Sequence, residues 1–111
     1  MGLVSGIIRL QYLAQTQLDL EYKLQTLSQT KMQLASQGFE LVSIGSDLDP
    51  DSPEVKRLET RRQKLELMEK KIDAEILKYQ NMLKMAETEM QSAQKIVDNS
   101  IKRSFSYAGG Q

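Results

Sequence analysis

The densest run of ionisable side chains is Lys56, Arg57, Arg61, Arg62 and Lys64. Clustered cations interleaved with aromatic rings would suit a nucleic-acid backbone. Here Glu54, Glu59 and Glu66 interleave instead and no aromatic residue stands nearby, which is the pattern of a solvated charged helix face. Paired carboxylates come next. Glu66 with Glu69, and Glu69 with Asp73, can face one another on a helix, whereas Glu87 and Glu89, two residues apart, cannot. Acid pairs on a charged helix are ordinarily just hydrated. Histidine and cysteine are absent, which removes the commonest acid/base at neutral pH and the usual soft metal ligands. A metal would then need a cage of carboxylates, and none is visible. Gly109-Gly110 has no strand before it and no helix after it, so it is not a phosphate loop. The expectation is therefore no enzyme, no catalytic residue, no cofactor, no metal and no nucleic-acid partner.

Composition points to elongated helices. The 111 residues are 5% aromatic and 27% charged, without Trp, and are dominated by Leu, Met, Gln, Lys and Glu. Fifteen basic residues balance fifteen acidic ones, so no net field draws in polyanions. Residues 1–50 hold three basic and five acidic side chains, and residues 51–111 hold twelve and ten. The start, Met1 to Arg9, lacks the basic region and apolar length of a Sec signal. Gly6 stands where a myristoylation signal wants Ser or Thr. No apolar run approaches the ~20 residues of a membrane span.

Apolar spacing then supplies the elements that must position these groups. From Leu65 a line runs through Met68, Ile72, Ile76, Tyr79, Leu83, Ala86, Met90, Ala93, Val97 and Ile101. Its ten steps cover 36 positions, a mean of 3.6 residues per step, which predicts one long amphipathic helix over 53–105. Pro and Gly are absent between Glu54 and Ala108. Upstream, Leu13, Leu20, Leu27, Leu34 and Leu41 recur every seven residues, with Leu3, Leu10, Gln17, Leu24, Lys31 and Gly38 at the partner heptad positions. That predicts a first helix over 1–44, packed as a coiled coil or as an ordinary amphipathic helix, with Gln17 and Lys31 interrupting the seam. Its outer face is rich in uncharged polar groups. Gln25, Gln29, Gln33 and Gln37 form an i,i+4 ladder that can be packed against a neighbour at lower cost than a charged face, or can stay in water.

Between the helices, Pro50, Asp51, Ser52 and Pro53 close a turn over 45–52. Asp49 before Pro50 is pushed out of helical geometry. Ser52 suits an N-cap and Pro53 the first helical position. Residues 106–111 read as a flexible tail. The fold class expected is all-α, a long antiparallel, coiled-coil-like helical hairpin with unequal arms. Its core is expected from Leu13, Leu20, Leu24, Leu27 and Leu34 on one arm and from Leu65, Met68, Ile72, Ile76, Tyr79, Leu83, Met90, Val97 and Ile101 on the other. Leu18, Phe39, Leu67, Leu77 and Met85 form a second partial apolar set left outside.

A helix, a Pro-x-x-Pro turn and a longer helix ending in Ile96-Val97-Asp98-Asn99-Ser100-Ile101-Lys102-Arg103-Ser104-Phe105 resembles the needle-forming subunits of type III secretion systems, and more loosely the helical axial proteins of flagella. The resemblance covers residues 20–105 and implies hairpins stacked helically around a narrow channel. With it, the expected function is a structural subunit that self-assembles into a filament or tube, an axial or needle-like component of a secretion apparatus. Its partners would be copies of itself and other helical proteins of the same apparatus, with Gln25, Gln29, Gln33 and Gln37 as candidate subunit interface. The location expected is secreted or at the cell surface without a Sec signal, with a cytoplasmic one as the alternative. The alternative function is a coiled-coil adaptor, chaperone or stalk that binds a helical partner without polymerising.

Overall fold

A computed structural model describes residues 2–109. Two helices account for nearly all of them: α1, Gly2–Gly45, with 44 residues, and α2, Pro53–Ala108, with 56. The protein is an all-α helical hairpin with unequal arms, and the described residues contain no strand.

The turn forms where the sequence places it, by local hydrogen bonds. At the exit of α1, the Ser46 N–H donates to the Val42 carbonyl at 3.1 Å and the Ser46 hydroxyl to the Ser43 carbonyl at 2.8 Å. The Asp49 carboxylate accepts the Asp51 N–H at 3.2 Å, and the Asp49 carbonyl accepts the Ser52 N–H at 3.0 Å. Ser52 then caps α2, its hydroxyl accepting the Val55 N–H at 3.4 Å, with Glu54 in the first turn where the helix dipole favours a carboxylate. At the far end, α2 continues through Ser106, Tyr107 and Ala108, which were expected in a flexible tail. The Gly109 N–H, bonded to the Phe105 carbonyl at 2.8 Å, closes it, a common glycine exit. Gly110 and Gln111, the rest of that expected tail, lie outside the described residues.

Contacts group into two compact units, each holding a piece of both helices. One takes the chain up to Tyr22 together with Tyr79 onward; the other is Lys23–Lys78. The division cuts across both helices rather than falling at the turn.

In the first unit the buried residues are Gly6, Leu13 and Leu20 from α1 and Ala86, Ala93 and Val97 from α2. Leucines on one helix meet alanines on the other, so large side chains enter shallow places and the helices can approach closely. The approach is tightest at Gly6 and Gly2. A Cβ on Gly6 would lie 2.7 Å from Val97 Cγ2, and one on Gly2 would collide with the Ser100 hydroxyl. The pairing is antiparallel: Gly2 and Gly6, in ascending order, meet Ser100 and Val97, in descending order. Arg9 reaches across to Glu89 at 3.6 Å. Past the level of Gly2, residues 101–108 of α2 are all exposed.

In the second unit only Leu34 is buried outright. Leu24, Leu27, Gly38, Leu41 and Gly45 of α1 and Val55, Leu58, Leu65, Ile72 and Ile76 of α2 are half-buried. Two charged residues, Arg62 and Glu69, share that half-buried line. Lys31 sits at a heptad position yet is exposed, its ammonium 2.6 Å from Asp73 across the seam.

The covered line on α2 corrects the expected one. Within the second unit it runs Val55, Leu58, Arg62, Leu65, Glu69, Ile72, Ile76; within the first, Tyr79, Leu83, Ala86, Met90, Ala93, Val97, Ser100. Steps of three and four alternate without a break, a period of 3.5 rather than 3.6. Met68 and Ile101, placed on the dry line by the sequence, are 50% and 49% exposed, while Glu69 and Ser100 hold the adjoining inward positions. A line of period 3.6 drifts by roughly 20° per heptad against a two-helix seam, so its ends fall off the contact.

Candidate functional site

The described residues contain no group of His, Cys, Asp or Glu arranged to hold a metal, and no helix long and apolar enough to cross a membrane. One member of each candidate acid pair, Glu66 and Asp73, is held by a cation. Arg62 donates to Glu59 at 2.6 and 3.1 Å and to Glu66 at 2.9 Å, and Lys31 holds Asp73. The hydrogen bond from Arg62 pulls the Glu59 carboxyl below its ordinary pKa, and the same bond raises that of Arg62. The hydrogen bond to Asp73 raises that of Lys31. Glu59 and Lys31 are exposed and Arg62 is only half-covered, so these pairs fix geometry more than they stabilise. Of the i,i+4 pairs legible in the sequence, Arg62–Glu66 forms. Glu66–Lys70, Lys71–Glu75 and Asp98–Lys102 do not form among the described residues, and Asp98 accepts from Gln94 instead at 3.0 Å.

What the described residues do show is exposed apolar surface. Nineteen large apolar side chains are exposed among the described residues against six buried hydrophobic ones. Leu18, Phe39, Leu67, Leu77 and Met85, expected outside, are 58 to 79% exposed. In the first unit five exposed apolar side chains border grooves along one flank. Ile8, Tyr12 and Ile96 border a shallow groove floored by Gly6 and Ala93. Tyr12, Met82 and Met85 border the next one, over Leu13, Leu20 and Ala86. Glycine and alanine at the seam make this flank concave, because there is no side-chain bulk between the helices to fill it.

In the second unit the groove lies beside the turn. Ile44, Leu48 and Leu58 line it together with Glu54, Arg57, Thr60, Arg61 and Lys64. It continues past Gln37, Glu40, Leu41 and Leu65, again with Arg61 and Lys64 on its edge. Gln37 therefore borders a groove, while Gln25, Gln29 and Gln33 are exposed along α1 with no side-chain hydrogen bond among the described residues. The grooves could not be read from the sequence, because they depend on register. The signal for the first was Gly6, which a helical reading treats as a weak point and not as a contact.

No family model matches the chain, and no curated protein or solved structure matches it either.

Proposed function

We propose that this protein is a structural subunit that packs against copies of itself into a filament or tube, an axial, needle-like component of a secretion apparatus. One observation carries the reading: nineteen large apolar side chains are exposed among the described residues against six buried hydrophobic ones, and several of them border surface grooves. Monomeric proteins rarely leave contiguous apolar patches of more than a few hundred Å² in water. Burying one such side chain is worth about 1.5–3 kcal/mol, so repeated lateral contacts can drive assembly. The unpartnered Gln25, Gln29, Gln33 and Gln37 ladder adds a face that can be dehydrated without stranding a charge.

Negative-stain imaging of concentrated protein, with sedimentation over a range of concentrations, tests this. Growing, regular assemblies are expected, and Gln29→Glu should impair them while leaving helical content unchanged. A stable monomer at high concentration would overturn the proposal. A small oligomer of fixed size would make the protein an adaptor, chaperone or stalk instead.

A further inference from the structure

We propose that the groove beside the turn docks an amphipathic helix of another protein that carries carboxylates along one edge. The groove has an apolar floor, Ile44, Leu48 and Leu58, with Ile44 54% exposed. Its rim is Arg57, Arg61 and Lys64, at i, i+4 and i+7 of α2, so all three stand on one side of the helix. All three are exposed, and none makes an ion pair or side-chain hydrogen bond among the described residues.

Their isolation distinguishes them. Arg62, on a neighbouring position of the same helix, holds two carboxylates. Arg9 and Lys31 each reach an acid on the opposite helix. Glu40 and Glu54 line the same groove, yet neither lies within ion-pair distance of the three rim cations. Like charges at i,i+4 oppose helix formation, so an unpaired row is a small standing cost that an incoming row of carboxylates removes. The row spans about 10 Å at ~1.5 Å per residue, two turns of a docked helix. Apolar side chains on the same helix would enter the floor, in the helix-in-groove mode.

The occupant is a different protein because this chain has no suitable edge to spare. On its helices the carboxylates at matching spacing are Glu66, Glu69 and Asp73, while Asp47 and Asp51, which share that spacing with Glu54, lie in the turn and offer no helical edge. Glu66 is taken by Arg62 and Asp73 by Lys31, and Glu69 is half-buried in the seam beside them.

The test is a phage-displayed library of 18-residue helices with a fixed leucine stripe and flanks varied among Glu, Gln and Lys, selected on the full chain. Enrichment of Glu on one edge at three- and four-residue spacing is expected. A synthetic winner should bind R57Q/R61Q/K64Q at least about tenfold more weakly, and more weakly still in salt. Reversing the peptide's Glu to Lys should abolish binding, a readout independent of any variant's folding. Selection indifferent to charge, or binding unchanged in the triple variant, would overturn the proposal and leave the row as solvated surface. So would altered sedimentation of the triple variant alone, which would make the occupant a second copy. Flotation with phosphatidylglycerol vesicles that the triple variant loses would likewise reassign the groove to a lipid surface. A chain that binds the peptide but stays monomeric supports the groove and sinks self-assembly, so the two readings fail separately.

Discussion

Gly6 and Gly38 sit in the same helix and answer substitution with opposite signs. Ala is about 0.8–1 kcal/mol better than Gly in a helix interior, whatever surrounds it. Around Gly38 a new methyl group meets nothing within 4 Å, so Gly38→Ala should stabilise by about that amount in urea unfolding. At Gly6 the methyl would meet the branched Val97 Cγ2 at 2.7 Å, and forcing extra volume into a packed contact costs about 1–3 kcal/mol. Gly6→Ala should therefore destabilise, and Val97→Ala should restore part of the loss in a double-mutant cycle. Charge at this scale gives a pH signature. Lys31 has a raised pKa through Asp73, so its contribution is complete below the ordinary lysine value and lost as pH climbs through the raised one. Glu59 has a lowered pKa through Arg62, so its contribution holds above the ordinary carboxylate value and fades as pH falls through the lowered one. Asp73→Asn should flatten the alkaline limb of the stability curve and Glu59→Gln the acid limb, both weakly and less so in salt. If neither limb moves, the ion pairs are idle in solution.

At the scale of the helix the seam carries the fold. Gly45 against Leu58 sets the register of the second unit and, counting eighteen residues away from the turn along each helix, puts Leu27 level with Ile76. Leu27→Asp or Ile76→Asp would press a lone carboxylate into that line, and either should abolish helical circular dichroism at neutral pH. Retained helicity would show that the seam is wet there. The turn and the helix starts were legible because Asp49-Pro50 and Ser52-Pro53 act through local geometry. The stripe was legible at Leu65 and from Ile72 to Val97, but not at Met68 or Ile101. Apolarity marks burial poorly where Arg62, Glu69 and Ser100 hold inward positions while Met68 and Ile101 point outward. Arg62 and Glu69 can sit inward because only half of each is covered and their charged ends reach water or a partner. Nothing in the spacing of one helix reveals which of its cations another helix will neutralise, so the rim of Arg57, Arg61 and Lys64 had to wait for the register.

For the whole molecule, a core of so few buried side chains sets the terms. Self-association that covers the outer set should stabilise the folded chain by mass action, so the melting temperature is expected to rise with protein concentration. A melting temperature unchanged over a hundredfold range of concentration would mean that the apolar flanks stay in water. Such a dependence would also tie the hairpin's integrity to its neighbours, as in obligate oligomers.

The four tyrosines divide the same way as the apolar residues do. Tyr12, Tyr22 and Tyr107 are 70 to 87% exposed, whereas Tyr79 is half-buried on the seam. With no tryptophan to mask them, ultraviolet emission comes from these rings alone. Unfolding perturbs the inner ring, while crowding by other molecules perturbs the outer ones. The chain thus carries an intrinsic optical gauge on which folding and association register at different residues, and single Tyr→Phe replacements would separate the two signals.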